Sequence, residues 1–198
     1  MNKIILLSTW LFISSLHPSA IERKFPDFQQ TTLDGIGINQ EKLKGKDSFV
    51  AIGFLGCGAH MFLLKDLETF ADSLDTTHQQ IVVFLENTPD QVEAFFQEEK
   101  NMWSDFRKQY KIKSAPYLIV PDCEEETLET KDGITYVGRQ CRKLSKKLRT
   151  KSSPTFYHVN AEGRIVQSSK GYWALLPKQE RLKKLNDFLA GIPGGSAP

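Results

Sequence analysis

Two nearly continuous apolar runs dominate the pattern of hydrophobic and polar positions in the first half of the chain. They extend from Ser48 to Leu55 and from Ile81 to Leu85, and such runs are typical of strands buried on both faces, as in a parallel sheet. Between them, apolar positions from Met61 to Leu74 fall at helical spacing, with charged residues on the opposite face. The pattern therefore predicts a strand–helix–strand unit.

Shorter patterns predict the elements that follow. Pro89 and Asp90 indicate a helix start, and helical spacing of apolar residues continues as far as Phe106. A short strand is predicted from Tyr117 to Val120, between two prolines. An amphipathic helix from Leu182 to Leu189 precedes a tail of Gly, Ser and Pro.

Charge distinguishes two neighbouring segments in the second half of the chain. Cys123 to Thr135 is acidic and contains three consecutive glutamates, so we interpret it as a solvated loop rather than a metal site. Gly138 to Lys151 is basic, and its pattern predicts a helix whose buried edge carries Leu144 and Leu148. Such a charge run is usually a solvated face, and docking of an acidic partner is the alternative.

The overall composition is that of an ordinary globular domain. The chain has 198 residues, of which 25% are charged and 40% are hydrophobic, and this length suffices for one domain with a sizeable core. Lys plus Arg number 26 and Asp plus Glu number 24. The net charge is therefore too small to attract nucleic acid or an anionic membrane through a long-range electrostatic field. We therefore expect no nucleic-acid partner.

The first twenty residues carry the pattern of a secretory signal peptide. Lys3 precedes an apolar run from Ile4 to Leu16, and the small residue Ala20 stands at the expected cleavage site. We assign 1–20 to a signal peptide, 21–191 to one domain and 192–198 to a flexible tail. The mature chain is expected in the periplasm or otherwise exported, touching a membrane only if the signal segment stays uncleaved. An uncleaved anchor and a buried core helix are the alternatives.

The cysteine count points to a reactive thiol. Three cysteines in an exported chain leave at least one free, intermolecular or reactive. Cys57 follows the first apolar run, is flanked by Gly56 and Gly58, and stands where the predicted helix opens. There the helix N–H groups and the positive end of the helix dipole stabilise a thiolate. Cys57 is thus the candidate nucleophile.

Two motifs resemble the thioredoxin superfamily, in the form of the TlpA-like and redoxin thiol–disulfide oxidoreductases. The first is the buried strand that ends in Gly56-Cys57-Gly58 and turns into a helix. The second is Ser153-Pro154-Thr155, which with the strand and hairpin after it is similar to the family's cis-proline loop. The resemblance implies a thioredoxin-like α/β fold: a central mixed β-sheet flanked by helices, an N-terminal β-hairpin, and an insertion before the cis-proline strand.

The resemblance also implies thiol–disulfide exchange, with Cys57 as nucleophile and Ser153, Pro154 and Thr155 presenting the substrate. His60 replaces the second cysteine of the family's Cys-x-x-Cys turn. If protonated, His60 would stabilise the thiolate, but it cannot form a disulfide. The expected protein is a monothiol reductase or isomerase that needs no cofactor. Its expected partners are thiol- or disulfide-bearing proteins and an external thiol that resolves the mixed disulfide.

The remaining two cysteines allow two interpretations. A structural disulfide between Cys123 and Cys141 suits an exported chain. In the alternative, one of them resolves the mixed disulfide on Cys57 and restores a dithiol cycle. The two interpretations differ in which Cα atoms lie within disulfide distance of one another.

Other functions are compatible with the same fold. The broken Cys-x-x-Cys turn fits a redox-silent thioredoxin-like binding module. Cys57, His60 and Met61, with His158 as a distant ligand, fit an SCO-like copper-binding protein. A lone Cys-x-x-His is a weak metal signal, and no metal site is predicted. Phe54 stands where a peroxiredoxin would carry a threonine, which disfavours peroxidase activity.

Overall fold

The computed structural model describes residues 23–97, 100–129, 132–133 and 135–190. The predicted signal peptide at 1–20 and the predicted tail at 192–198 lie outside these residues. Within the described ranges, no helix has the length and apolar character needed to cross a bilayer. The same ranges form ten β-strands and six α-helices.

These elements have the following bounds. The strands are β1 (Arg23–Lys24), β2 (Gln29–Thr31), β3 (Gly37–Asn39), β4 (Asp47–Gly53), β5 (Gln79–Leu85), β6 (Leu118–Pro121), β7 (Cys123–Glu129), β8 (Thr135–Cys141), β9 (Thr155–Val159) and β10 (Arg164–Lys170). The helices are α1 (Gln40–Leu43), α2 (Gly58–Ala71), α3 (Pro89–Phe96), α4 (Met102–Tyr110), α5 (Lys143–Leu148) and α6 (Lys178–Leu189).

A six-stranded mixed sheet forms the centre of the fold, in the order β1-β10-β9-β4-β5-β6. β4, β5 and β6 are parallel, as the strand–helix–strand pattern predicts. β9 runs antiparallel to β4, with Thr155 opposite Ile52 and His158 opposite Phe49. β10 and β1 continue the sheet in antiparallel pairings. This mixed sheet and the N-terminal hairpin of β2 and β3 confirm the predicted fold class.

Both faces of the central strands are buried, which explains their uninterrupted apolar sequences. Along β4, Phe49 and Ala51 belong to the core on one face, whereas Val50 and Ile52 belong to the core on the other. The first core is completed by α2, α3 and α6, and the second by α1, α5 and the N-terminal segment around Phe25. The sheet is therefore covered on both sides, and α2 holds Cys57 at its amino end.

The insertion before β9 differs from the sequence interpretation. The segment interpreted as a solvated loop contains strand β7, and the predicted basic helix from Gly138 to Lys151 is helical only within α5. β7 and β8 form an antiparallel hairpin in which Cys123 lies opposite Cys141 and is joined to it by a disulfide. Both interpretations were wrong because strand pairing and the covalent link outweigh the local charge pattern.

Asp122 anchors this insertion to the sheet. Its N–H donates to the Leu85 carbonyl at 2.6 Å. Its carboxylate accepts hydrogen bonds from the Gln30 amide and, at 3.3 Å, from the Leu144 N–H. Burial raises the pKa of the Asp122 carboxyl to about 6. The hairpin and α5 are thereby held at the carboxyl end of β6.

The helical pattern that begins near Pro89 belongs to two helices. α3 opens with a capping box between Thr88 and Gln91. α4 opens with a second capping box, in which the Asn101 side chain accepts a hydrogen bond from the Ser104 N–H at 2.9 Å. The spacing seen in the sequence is therefore interrupted, and the break allows α4 to pack against α2.

A buried ion pair fastens α2 to α6. Asp66 is fully buried and accepts hydrogen bonds from Arg181 Nε at 2.5 Å and from Arg181 Nη2 at 3.1 Å. Tyr172 Oη donates to the same carboxylate at 2.7 Å, and burial raises the pKa of Tyr172 so that it stays a donor. Removing one partner of such a pair leaves the other charge buried and uncompensated.

The first turn of α2 fits against the end of β4 because that strand ends in glycine. His60 is fully buried. Its ring lies so close to Gly53 that a Cβ at that position would be 2.2 Å from His60 Nδ1. Atoms do not approach to this distance, so any side chain at Gly53 must displace the imidazole and the turn that carries Cys57.

Asp66→Ala should destabilise the domain by about 3–5 kcal/mol, because it leaves the Arg181 guanidinium buried without its partner. Urea unfolding followed by tryptophan fluorescence measures this loss. Asp187→Ala is the matched control, since its pair with Lys183 on α6 is solvent-exposed at 2.7 Å, and it should cost about 0.5 kcal/mol or less. Equal costs for the two variants would contradict the role of the buried pair.

Gly53→Ala should destabilise the domain by about 3 kcal/mol through the clash with His60. In a His60→Ala background the same substitution should cost less than about 1 kcal/mol, because the clashing ring is gone. Gly37→Ala serves as control, since a Cβ at that strand glycine meets nothing within 4 Å. A Gly53→Ala cost that is unchanged by His60→Ala would show that another contact makes glycine necessary.

Candidate active site

Cys57 occupies the N-cap position of α2. Its backbone is extended, and its carbonyl accepts the first helical hydrogen bond from the Met61 N–H at 2.9 Å. Gly56 makes the preceding turn with a φ of +90°, a region that residues with a side chain rarely adopt. The Cys57 thiol is free and half-buried, and it caps none of the helix amides. The first turn of α2 contains no acidic residue, so no carboxylate there opposes a thiolate.

The segment after β5 clamps the turn before Cys57. The Glu86 N–H donates to the Gly53 carbonyl at 2.7 Å. The Leu55 N–H donates to Asn87 Oδ1 at 2.8 Å, and Asn87 Nδ2 donates in turn to Gln91 Oε1 at 3.1 Å. The sequence analysis missed this support, although the Thr-x-x-Gln spacing of a capping box was present to indicate it.

The cis-proline loop lies beside the thiol. The Ser153–Pro154 peptide bond is cis, and Cys57 Sγ donates to the Ser153 carbonyl at 3.6 Å. The Gly171 N–H donates to the Pro154 carbonyl at 2.7 Å, which ties the loop to the end of β10. Because β9 runs antiparallel to β4, the loop before β9 and the turn after β4 meet at one end of the sheet.

The side chains of Ser153 and Thr155 differ in their surroundings. Thr155 is buried, and its hydroxyl donates to the Ser152 carbonyl at 2.7 Å, so this side chain shapes the loop from inside. The Ser153 hydroxyl oxygen is buried and has no hydrogen-bond partner among the described residues. Of the two hydroxyl groups, only that of Ser153 makes no hydrogen bond with the described residues.

The condition on which His60 was expected to stabilise the thiolate, a protonated ring, is not favoured by its surroundings. Its ring is fully buried, and neither ring nitrogen has a hydrogen-bond partner among the described residues. Burial lowers the pKa of His60 to about 3. The imidazole is therefore neutral at ordinary pH and gives Cys57 no charge stabilisation. His60 occupies the volume at the resolving position as a packed, uncharged side chain.

The Cys123–Cys141 disulfide lies on the far side of the sheet end from the cis-proline loop. Cys123 follows β6, whereas Cys57 follows β4, and β5 separates these two strands. The structure joins Cys123 to Cys141 and leaves Cys57 free.

The distant histidine of the copper alternative lies at the wrong end of the sheet. His158 is opposite Phe49, and its Nε2 is 3.5 Å from Asp47 Oδ1 near the start of β4. His158 is four positions after Pro154, about 13 Å along an extended strand. In the described part of the chain, no three His, Cys, Asp or Glu side chains converge as metal ligands.

Two aromatic residues of α4 cover the glycines on either side of Cys57. Trp103 lies 3.9 Å from the place of a Cβ at Gly56, and Tyr110 Oη lies 3.1 Å from the place of a Cβ at Gly58. The sequence analysis did not assign these aromatics to the site, because the break between α3 and α4 that positions them left no local pattern. They pack against the turn that carries Cys57.

The chain is similar to known proteins in its three-dimensional structure. No protein-family model matches the sequence, and no curated protein matches it. A candidate thiol:disulfide interchange protein DsbE from Chlorobium tepidum superimposes with a TM-score of 0.57 at 13% identity, covering 87% of this chain and 97% of the other.

Two further solved structures overlap with most of the chain. The exposed lipoprotein thioredoxin Etrx1 of Streptococcus pneumoniae has a TM-score of 0.50 at 18% identity and covers 82% of this chain and 99% of its own. A secreted disulfide oxidoreductase of Mycobacterium tuberculosis has a TM-score of 0.50 at 14% identity and covers 83% of this chain and 93% of its own. With the mixed sheet and the cis-proline loop beside Cys57, these overlaps identify the chain as a protein of thioredoxin-like fold.

Proposed function

We propose that this chain is an exported protein that exchanges thiols and disulfides through the single nucleophile Cys57. The observation that carries the proposal is a free thiol at the amino end of α2, in contact with the carbonyl before a cis-proline. The positive end of the α2 dipole favours a thiolate at this position, and the cis-proline loop lies beside it. Both features support a first exchange step at Cys57.

The first step forms a mixed disulfide. The Cys57 thiolate attacks one sulfur of a substrate disulfide, the Cys57–substrate bond forms, and the second substrate sulfur leaves as a thiolate. In an isomerase cycle, another thiolate of the same substrate attacks the bound sulfur and expels Cys57. The substrate then has a new disulfide, Cys57 is regenerated, and no net oxidation has occurred.

A reductase cycle needs two equivalents of an external thiol. The first attacks Cys57 Sγ, releases the substrate as a second thiolate, and leaves the external group on Cys57. The second attacks that external sulfur and regenerates the Cys57 thiolate. The substrate disulfide is reduced and the external thiol is oxidised to its disulfide. An external thiol is required because Cys123 and Cys141 are bonded to each other and lie across β5 from Cys57.

The surroundings of Cys57 supply backbone and apolar contacts for a protein substrate. The Ser153 carbonyl accepts a hydrogen bond from the Cys57 thiol at 3.6 Å, and deprotonation of that thiol would release this carbonyl to pair with an extended chain. Phe54 and Met102, close in sequence to Cys57 and Trp103, are 41% and 61% exposed. Exposed apolar side chains on the segments that flank Cys57 and carry Trp103 favour a polypeptide over a small polar thiol as the substrate.

Export fits the chemistry that we propose. The pattern of residues 1–20 is that of a signal peptide, and a disulfide persists in an oxidising compartment. Structures of similar fold come from a protein described as secreted and from a lipoprotein described as exposed. We therefore place the chain outside the cytoplasm, with thiol- or disulfide-bearing proteins as partners.

The first test is the chemical state of the three cysteines. Alkylation of the non-reduced protein with N-ethylmaleimide should add one label, at Cys57, and peptide mapping should recover Cys123 linked to Cys141. Cys57→Ser should abolish both the label and the trapping of a peptide disulfide, whereas Cys123→Ser with Cys141→Ser should retain trapping. Recovery of Cys57 bridged to Cys123 or Cys141 would replace the monothiol cycle by a dithiol cycle.

The second test restores the missing cysteine. His60→Cys should raise the rate of insulin disulfide reduction about tenfold or more, because an intramolecular thiol resolves the mixed disulfide at a high effective concentration. Cys57→Ser with His60→Cys is the control and should be inactive. If Cys57 forms a disulfide with the introduced cysteine without any gain in reduction, the alternative of a redox-silent binding module is favoured.

A further inference from the structure

A basic pocket opens on the sheet face beside the cis-proline loop. It has a volume of about 680 Å³ and lies between the end of α5 and strands β1, β9 and β10. Four cationic residues line it: Arg23, Lys24, Arg149 and Lys170. Three hydroxyl groups lie between them, on Thr150, Tyr157 and Ser168, and those of Thr150 and Tyr157 are hydrogen-bonded to each other at 3.0 Å. Within the described part of the chain, no Asp or Glu lines this basic pocket.

Most of this charge has no ion-pair partner among the residues that the structure describes. Lys24 is paired with Asp27 at 3.3 Å, in a contact in which both side chains are largely exposed. Arg23, Arg149 and Lys170 make no ion pair with any residue in the ranges that the structure describes. Positive charges around a concave wall focus a positive potential there, although the chain as a whole is nearly neutral.

The basic pocket begins near the cis-proline loop, on the face of the sheet that carries α5 and not on the face that carries α2. Thr155 lines it and directly follows Pro154, and Lys170 lies opposite Thr155 in the β9–β10 pair. The thiol itself touches the Ser153 carbonyl. The near end of the pocket is therefore about two residues of extended chain, roughly 7 Å, from the Ser153 contact. Arg23 lies at the far end, opposite Ile165 and roughly 15 Å farther along the sheet.

We propose that the basic pocket docks an acidic segment of the protein substrate that becomes joined to Cys57. This inference rests on the proposed function and names its substrate class. Guanidinium groups bind carboxylates bidentately, which suits Arg23 and Arg149 for Asp and Glu side chains. At about 3.3 Å per residue, carboxylates about two to six positions from the substrate cysteine reach this wall. The concave shape fits separate side chains better than a flat lipid surface.

The experiment compares two peptides that differ only in charge. Each carries one cysteine activated as a 2-thiopyridyl disulfide, followed by either Asp and Glu or Asn and Gln at positions two to six. Cys57 attacks the peptide sulfur, a Cys57–peptide disulfide forms, and neutral thiopyridone leaves with one proton. We expect the acidic peptide to react about tenfold faster at low salt, with the advantage disappearing as salt screens the pocket.

Matched variants locate the effect. Arg149→Gln with Lys170→Gln should abolish the advantage of the acidic peptide, whereas Lys146→Gln should keep it, because Lys146 is exposed on α5 but does not line the pocket. All variants should react equally with 2,2′-dithiodipyridine, which reports Cys57 alone. Circular dichroism and thermal unfolding confirm that each variant is folded.

The possible failures are distinguishable. If Cys57 does not react with 2,2′-dithiodipyridine, the proposed function itself is wrong. If it reacts but the two peptides have equal rates, the docking proposal is wrong and the proposed function stands. If Lys146→Gln loses as much of the acidic peptide's rate advantage as the double variant does, the effect comes from the overall charge of the protein. The proposed docking in the basic pocket is then wrong. If the protein binds phosphatidylglycerol vesicles in a charge-dependent way but does not distinguish the two peptides, the ligand of the basic pocket is a membrane surface and not an acidic segment.

Discussion

The antiparallel pairing of β9 with β4 is the constraint on which the site depends. Thr155 lies opposite Ile52, so the loop that precedes β9 reaches the turn that follows β4. A one-residue slip in this register would turn the side chains of β9 to the wrong faces of the sheet. The register is fixed because both faces of β9 are buried, with Phe156 in one core and Tyr157 in the other. Core packing therefore determines where the carbonyl of Ser153 meets Cys57.

The geometry on the other side of the thiol comes from hydrogen bonds and close packing. Asn87 and Gln91 hold the backbone before Cys57, and the absence of a side chain at Gly53 admits His60. The two flanking glycines let the aromatics of α4 approach the turn. The site is thus built on the ends of rigid elements, which positions a nucleophile more accurately than a free loop does.

The sequence was sufficient for the parts of the fold that are determined locally. Continuous apolar runs predicted β4 and β5, and helical spacing predicted α2, because buried central strands and amphipathic helices leave these patterns. The acidic segment and the basic segment of the insertion were misinterpreted because β7 and β8 are stabilised by each other across the hairpin. The protonation state of His60 was left open by the sequence, because it depends on burial, which lowers the pKa of the ring and which only the fold determines. The basic pocket shows the same limit for surfaces, since Arg23, Arg149 and Lys170 are far apart in the sequence and meet only through the pairing of β1, β10 and β9.

The position of the Cys123–Cys141 disulfide affects how the protein tolerates reductants. It joins residues 18 positions apart within one hairpin and connects no two layers of the fold. A crosslink over so short a loop contributes about 3 kcal/mol at most to global stability. The sheet, its two cores and the Asp66 ion pair do not include this bond. Reduction would therefore loosen the hairpin, whereas the sheet and its two cores would keep their packing.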